Sequence, residues 1–327
     1  MKKILFSLLL AALLLSLVAC GGEKSVTLGM GTVASPAASV NGTAAMTVTT
    51  AAVVLSPEGK ILACRIDVSE DKISVRDGKL PPTESLTFAT KAELGDAYGM
   101  AAGGAKAEWF TEVRALEDYL IGKTGRDLSL LPTREENGGV YTADDTLSAS
   151  CTIEIGDMLS AVKKAVSDTQ KVSLSAEPAK LGLAFRTTAS DSTAASDEKD
   201  GRAVIFTTLS AVALDGDGNI LGTVLDAAEG EILFDTAGKI GEKTYKGTKR
   251  EQKESYGMSA TGKTEWYLQA KAFSAFTVGM SGDGVGNIRT EEKDGKTVAA
   301  DSTLYSGCTI DIAEFKNATK KAAALAR

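Results

Sequence analysis

The chain is one unit written twice. Val53-Val54-Leu55-Ser56-Pro57-Glu58-Gly59-Lys60-Ile61 recurs as Val212-Ala213-Leu214-Asp215-Gly216-Asp217-Gly218-Asn219-Ile220. Gly78-Lys79-Leu80 recurs as Gly238-Lys239-Ile240, Thr90-Lys91 as Thr248-Lys249, and Tyr98-Gly99-Met100 as Tyr256-Gly257-Met258. Lys106-Ala107-Glu108-Trp109 recurs as Lys263-Thr264-Glu265-Trp266, and Cys151-Thr152-Ile153 as Cys308-Thr309-Ile310. The offset stays between 157 and 160 throughout. Such collinearity is the mark of a duplication. Leu28-Gly29-Met30 and Leu181-Gly182-Leu183 stand near the two starts. We therefore read unit one as 26–170 and unit two as 177–327. At about 150 residues, each is large enough to bury a core of its own. Ser35–Gly42 and Ser190–Gly201 fall at equivalent places, so both read as loops inside a unit, with the linker near 168–178.

Within each unit the first half reads as strands. Leu62, Cys64, Ile66 and Val68 alternate with Ala63, Arg65 and Asp67, the period of a strand with one buried face. Leu221, Thr223, Leu225 and Ala227 repeat the pattern. Pro57-Glu58-Gly59 and Gly216-Asp217-Gly218 are turns, which makes an antiparallel hairpin. The second half reads as two helices. Trp109, Val113, Leu116 and Leu120 share one helical face, as do Trp266, Ala270, Phe273 and Thr277. Met158, Val162 and Ala165 mark a second helix, matched by Phe315, Thr319 and Ala322. Lys163-Lys164 and Lys320-Lys321 sit toward its end, where cations suit the helix dipole. The fold class expected is α+β: two similar tandem domains, each an antiparallel sheet with two packed helices.

Residues 1–19 read as a lipoprotein signal peptide. Lys2 and Lys3 precede an apolar run, Ile4 to Ala19, that is short for a membrane span. Leu17-Val18-Ala19-Cys20 resembles a lipobox, so Cys20 is the expected lipidation site, with 20–25 as a tether. The expected location is the extracytoplasmic face of a cell membrane, with the membrane itself as partner through Cys20. Loss of Lys2 and Lys3 takes the net charge from −7 to −9. A chain so acidic gains nothing from phosphate backbones, so no nucleic-acid partner is expected.

The composition contains no histidine. Ser-His-Asp and Cys-His catalysis and the usual His-bearing metal sites are thereby excluded. No catalytic constellation and no metal site emerge from the remaining residues, and the chain does not read as an enzyme. Cys64, Cys151 and Cys308 remain beside the anchor, an odd number that does not suggest a disulfide framework. All three read as small buried residues. Three short matches are set aside. Asp215, Asp217, Asn219 and Asp226 have calcium-loop spacing, but Ile220 stands where that loop needs glycine. Gly282–Gly286 follows no strand signal, and Ser160-Ala161-Val162-Lys163 with Lys123-Thr124-Gly125 has its two motifs in the wrong order.

The repeated block of Thr-Lys, Tyr-Gly-Met and Lys-x-Glu-Trp has two readings. In one, Trp109 and Trp266 anchor a helix by burying large area. In the other they are the platform of a ligand pocket, with Lys106 and Lys263 holding an anion. The end of each unit resembles the FMN-binding domain family, whose D-x-x-[ST]-G-A-T before a helix carries FMN on its last Thr. Unit two has Ser306-Gly307-Cys308-Thr309 and unit one Ala149-Ser150-Cys151-Thr152. The resemblance implies FMN, covalent or non-covalent, with Thr309 as acceptor beside Ser306 and Gly307, and Thr152 as a poorer one. Cys replaces Ala in both copies, unit one lacks the Gly, and Asp301 and Asp144 lie two positions early. The whole unit is also similar to exported proteins of Gram-positive anaerobes that share its landmarks, a resemblance that brings no activity. The flavin resemblance implies electron transfer with a membrane redox partner. The alternative is a non-enzymatic ligand-binding or surface-interaction lipoprotein with a decayed flavin site.

Overall fold

The structure, a computed structural model, describes residues 25–327. The signal segment and Cys20 lie outside the described residues. Unit one opens with three antiparallel strands: β1 (Thr27–Ser35), β2 (Thr43–Leu55) and β3 (Ile61–Ser74). The β2–β3 turn closes because Gly59 takes a φ of +81° and the Ser56 hydroxyl accepts the Glu58 and Lys60 amides. Leu62 is an extra residue in the ladder: Leu55 pairs with Ile61, and Val54 with Ala63. A small hairpin follows, β4 (Thr133–Glu136) with β5 (Gly139–Thr142). The linker supplies β6 (Val172–Ser173), which pairs with β1 and completes a four-stranded sheet of order β3-β2-β1-β6. Unit two repeats the plan with β7 (Lys180–Thr188), β8 (Gly201–Leu214) and β9 (Ile220–Phe234). Its bulge falls at the equivalent place, with Leu214 opposite Ile220 and Ala213 opposite Gly222. β10 (Ile240–Thr244) is its fourth strand, in the order β10-β9-β8-β7, and β11 (Thr290–Lys293) with β12 (Lys296–Ala299) is its small hairpin.

Two long helices per unit cover the outer face of each sheet. These are α1 (Trp109–Leu120) and α2 (Gly156–Ser167), then α3 (Trp266–Phe276) and α4 (Ala313–Ala324). Val113, Leu116 and Leu120 of α1 and Met158, Val162 and Ala165 of α2 bury against Val53, Ile61, Cys64 and Ile66. Unit two has the same core, with Ala270, Phe273 and Phe315 against Val212, Ile220 and Leu225. The α+β class and the helix-on-sheet arrangement follow the sequence reading.

The inner faces of the sheets depart from that reading. They meet each other rather than solvent. Leu28, Met30, Met46, Val48, Val54, Ile73 and Val75 form one buried cluster with Leu183, Phe185, Ile205, Leu209, Ile232 and Phe234. The layers therefore run helices, sheet, sheet, helices. Ala63, Arg65 and Asp67, expected on an open face, point into or beside this junction: Asp67 is buried, and Arg65 Nε donates to the Leu181 carbonyl at 3.2 Å. Alternation shows that a strand has two kinds of face. It does not show whether the more polar one meets water or a second sheet.

The junction is reciprocal. β3 lies over β7 and β1 over β9, so equivalent elements exchange equivalent contacts. Lys164 of α2 donates to the Thr32 carbonyl and pairs with Glu251 at 2.7 Å, while Lys321 of α4 donates to Phe185 and pairs with Glu93. These lysines, read as dipole partners, thus tie helix, strand and opposite unit together. One pair of positions breaks the reciprocity. Asp71 is buried in the junction, and its Oδ2 accepts from Ser69 at 2.9 Å and Thr187 at 3.0 Å; Thr187 in turn meets Thr207 at 3.0 Å. The equivalent of Asp71 is Gly230, where a Cβ would lie 2.6 Å from Met46 Sδ. The junction thus holds a polar knot at Asp71 and a tight apolar contact at its counterpart.

Candidate functional site

The repeated block closes into one local structure. Thr90 and Thr248 each begin a short helix as a capping box, with Glu93 and Glu251 as the reciprocal partners. The next residue in each copy, a lysine, lies under the tyrosine. Lys91 Nζ pairs with Glu70 at 2.6 Å and sits 4.9 Å from the Tyr98 ring centroid and 5.9 Å from that of Trp109. Lys249, 2 % exposed, pairs with Glu229 at 2.5 Å and lies 3.8 Å from the Tyr256 ring. Glu108 and Glu265 stand just before α1 and α3. Glu108 accepts the Met100 and Ala101 amides at 3.0 Å, and Glu265 those of Met258 and Ser259 at 3.2 and 2.8 Å. The carboxylate thus holds the Tyr-Gly-Met loop against the helix start, and Gly99 and Gly257 make the bend with φ of +81° and +87°. Lys106 and Lys263 are exposed to solvent and carry no ion pair among the described residues. The lysine that matters is the other one in the block, Lys91 or Lys249.

The two copies differ in what this frame encloses. In unit one Lys91, Tyr98, Met100 and Trp109 line a cavity of about 260 Å³, together with Thr47, Thr49, Glu70, Ile153, Glu154, Asp157 and Met158. Trp109 is therefore both the helix anchor and a wall. In unit two the positions of Thr47 and Met158 hold Phe206 and Phe315. The Lys249 ammonium lies 5.4 Å from the Phe206 ring, and Trp266 packs edge-on against Phe315 at 5.4 Å. Trp266 thus lies among rings of its own unit. A larger cavity of about 450 Å³ runs between linker residues Thr169–Ser173 and α3, but it gathers no side chain of the repeated block.

The Cys-Thr loops lie beside the same helices. Thr309 donates its amide and hydroxyl to Gln269 Oε1 at 2.8 and 3.2 Å. Thr152 donates to Glu112 Oε2 at 2.6 and 2.9 Å. Glu112 is buried, and its Oε1 has no partner among the described residues. FMN joined to Thr152 as a phosphodiester would take away the hydroxyl donor to Glu112 and set a second negative charge against this carboxylate, so unit one does not fit covalent FMN. Ser306 spends its hydroxyl on the Thr303 carbonyl, and Asp301 caps the turn through the Thr303 and Leu304 amides. Gly307 lies against α3, where a Cβ would come 2.9 Å from the Ala272 Cβ. The motif residues of unit two are accounted for by local structure. Cys64, Cys151 and Cys308 are free and buried. Burial, then the Glu112 charge, pushes the Cys151 thiol up to about 11, and burial pushes Cys308 up to about 12. Both stay protonated and inert at neutral pH.

Three buried aspartates make stability depend on pH. Desolvation pushes Asp67 up to about 7, and Asp71 and Asp226 up to about 6. Unfolded, they titrate near ~3.9. Between those limits the folded chain binds more protons than the unfolded one. The stabilisation is complete below the unfolded value and is lost as pH rises through 6 to 7. The capping carboxylates Asp144 and Asp215, held below the usual range by hydrogen bonds, act only in more acid solution. We expect a higher Tm at pH 5 than at pH 8 in thermal melts, with the difference reduced in Asp67→Asn and Asp226→Asn. A Tm that climbs from pH 5 to 8 would contradict the assignment.

The motifs set aside are local structure. Asp215 accepts the Asp217 and Asn219 amides in a hairpin turn, Ser281 caps the short helix Gly282–Gly286, and Thr124 caps Gly125–Ser129. No helix among the described residues is long and apolar enough to cross a membrane. No known protein family, curated protein or solved structure matches the chain.

Proposed function

We propose that this is an extracytoplasmic, lipid-anchored binding protein in which unit one takes a small ligand and unit two serves as its closed structural partner. One observation carries this reading: the same frame of Lys, Glu, Tyr, Met and Trp encloses a cavity in unit one, while unit two places Phe206 and Phe315 at the matching positions. The cavity lies just under the range of drug-sized pockets, so it suits a fragment-sized molecule. Aromatic walls with a few charged groups are the usual makeup of such sites. Binding, without turnover, also suits a chain that lacks histidine.

The flavin reading is tested separately, because Thr309 meets a neutral amide where Thr152 meets a carboxylate. Intact-mass analysis after co-production with a flavin transferase is expected to show no added FMN. An FMN adduct that disappears in Thr309→Ala would instead establish covalent flavin in unit two and an electron-carrier role. The ligand-site reading itself is tested with small amine, alcohol and acid probes of the unit-one cavity.

A further inference from the structure

The second unit shows what the first one lacks. At the position of Asp157, unit two has Glu314, whose carboxylate takes the Arg186 guanidinium at 3.0 Å. The equivalent of Arg186 is Val33. The match is in register, since Val33 pairs with Thr49 on β2 and Arg186 with Thr208 on β8. At the position of Glu154, unit two has Asp311, which accepts the Thr297 and Ala313 amides at 3.0 and 2.8 Å. Glu154 and Asp157 are solvent-exposed, line the cavity and have no hydrogen-bond or ion-pair partner among the described residues. Unit two therefore carries its own cation on the acid and its own rings beside it. Unit one presents the acids and leaves the space.

The remaining charge in the cavity is already balanced. Lys91 is held by Glu70 at 2.6 Å, which leaves the carboxylates of Glu154 and Asp157 uncompensated. The rings of Tyr98 and Trp109 already take the Lys91 ammonium, so they offer a ligand an apolar wall and leave its charge to the two carboxylates. We infer that the unit-one cavity binds an organic cation: a primary ammonium or guanidinium on a short apolar body, the cation at Asp157 and Glu154 and the body against Trp109, Met100 and Met158. This inference rests on the cavity being a ligand site and adds the chemical class of the ligand.

The test uses the full chain in detergent, with the methionine methyl groups followed by NMR. The probes are phenethylamine, its neutral isostere 2-phenylethanol, and the anion 3-phenylpropionate. Phenethylamine is expected to shift the Met100 and Met158 methyl signals, but not Met258, at concentrations at least tenfold below those the other two require. Val33→Arg supplies Asp157 with the cation that unit two already has, and it is expected to abolish the shifts while the Met258 signal stays in place. Asp157→Asn, which removes the charge without adding bulk, is expected to weaken phenethylamine about tenfold and to leave 2-phenylethanol unchanged. If all three probes act equally, the cavity remains a site and the cation assignment falls. If none moves Met100 or Met158, the ligand-site reading falls with it.

Discussion

Produced without unit two, residues 25–174 are expected to aggregate or to pair with a second copy, and not to give a folded monomer. The inner face of sheet one carries Leu28, Met30, Met46, Val48, Val54, Ile73 and Val75, all at or below 4 % exposure. All seven belong to one buried cluster with residues of unit two. Burial of one such side chain is worth roughly 1.5–3 kcal/mol. Seven of them together match or exceed the ~5–15 kcal/mol by which a typical domain is stable. The outer helices cannot compensate, because they already cover the other face. Size-exclusion chromatography with light scattering, followed by thermal melts, measures the outcome. A soluble monomer with a cooperative transition would show that the repeat is a pair of independent domains, as its length alone allows.

The second large effect is expected at the glycines of β1 and β7. A Cβ on Gly182 would lie 2.0 Å from the Ala322 carbonyl oxygen, and one on Gly29 would lie 2.3 Å from that of Ala165. Gly31 is as tight, 2.4 Å from the Ala161 carbonyl. These contacts are with helix backbone, which no side-chain rotation relieves. α2 and α4 would have to lift off their sheets, uncovering Val162, Ala165, Phe315 and Ala322. Overpacking in a core costs about 1–3 kcal/mol even where side chains can adjust. Gly182→Val and Gly29→Val are therefore expected to lower stability by about 3 kcal/mol or more in urea titrations. Gly216→Ala is the control, because a Cβ there meets nothing within 4 Å. It is expected to stay within about 0.5 kcal/mol of the parent. An unaltered midpoint for Gly182→Val would mean that the helix does not sit on the strand as described.

Both predictions bear on residues whose place in the repeat is visible in the sequence while their purpose is not. Leu28-Gly29 and Leu181-Gly182 mark the starts of the units in the sequence. Only the packing of α2 and α4 shows that the glycine is there to admit a helix carbonyl. The repeated block divides in the same way. Its Trp and Glu are legible as retained residues, and the helix starting at Trp109 is legible from its spacing. The lysine expected to hold an anion, Lys106, points to solvent, while Lys91 is inside. Both are lysines of the same block, and nothing local distinguishes them. Glu70 on β3 and Asp157 on α2 do so, by folding onto the same space.

The informative residues of the site lie where the copies differ. Val33 against Arg186, Thr47 against Phe206, and Met158 against Phe315 are ordinary substitutions when each is taken alone. They become one statement only when β2 and α2 bring Thr47 and Met158 to a single cavity and β1 sets Val33 opposite Thr49, a residue of its wall.

By itself, the sequence determined the duplication, the class, the hairpins and helices of each unit, and the lack of histidine chemistry. Those properties follow from composition and from periods of two and 3.6 residues, which are read over a few neighbours. The tertiary structure decided that the two sheets share a core and that unit one sets two acids on a cavity where unit two places Phe206 and Phe315. Those depend on which faces meet across the whole chain. Hydrophobic burial is non-directional, so a buried pattern names no partner until the packing supplies one.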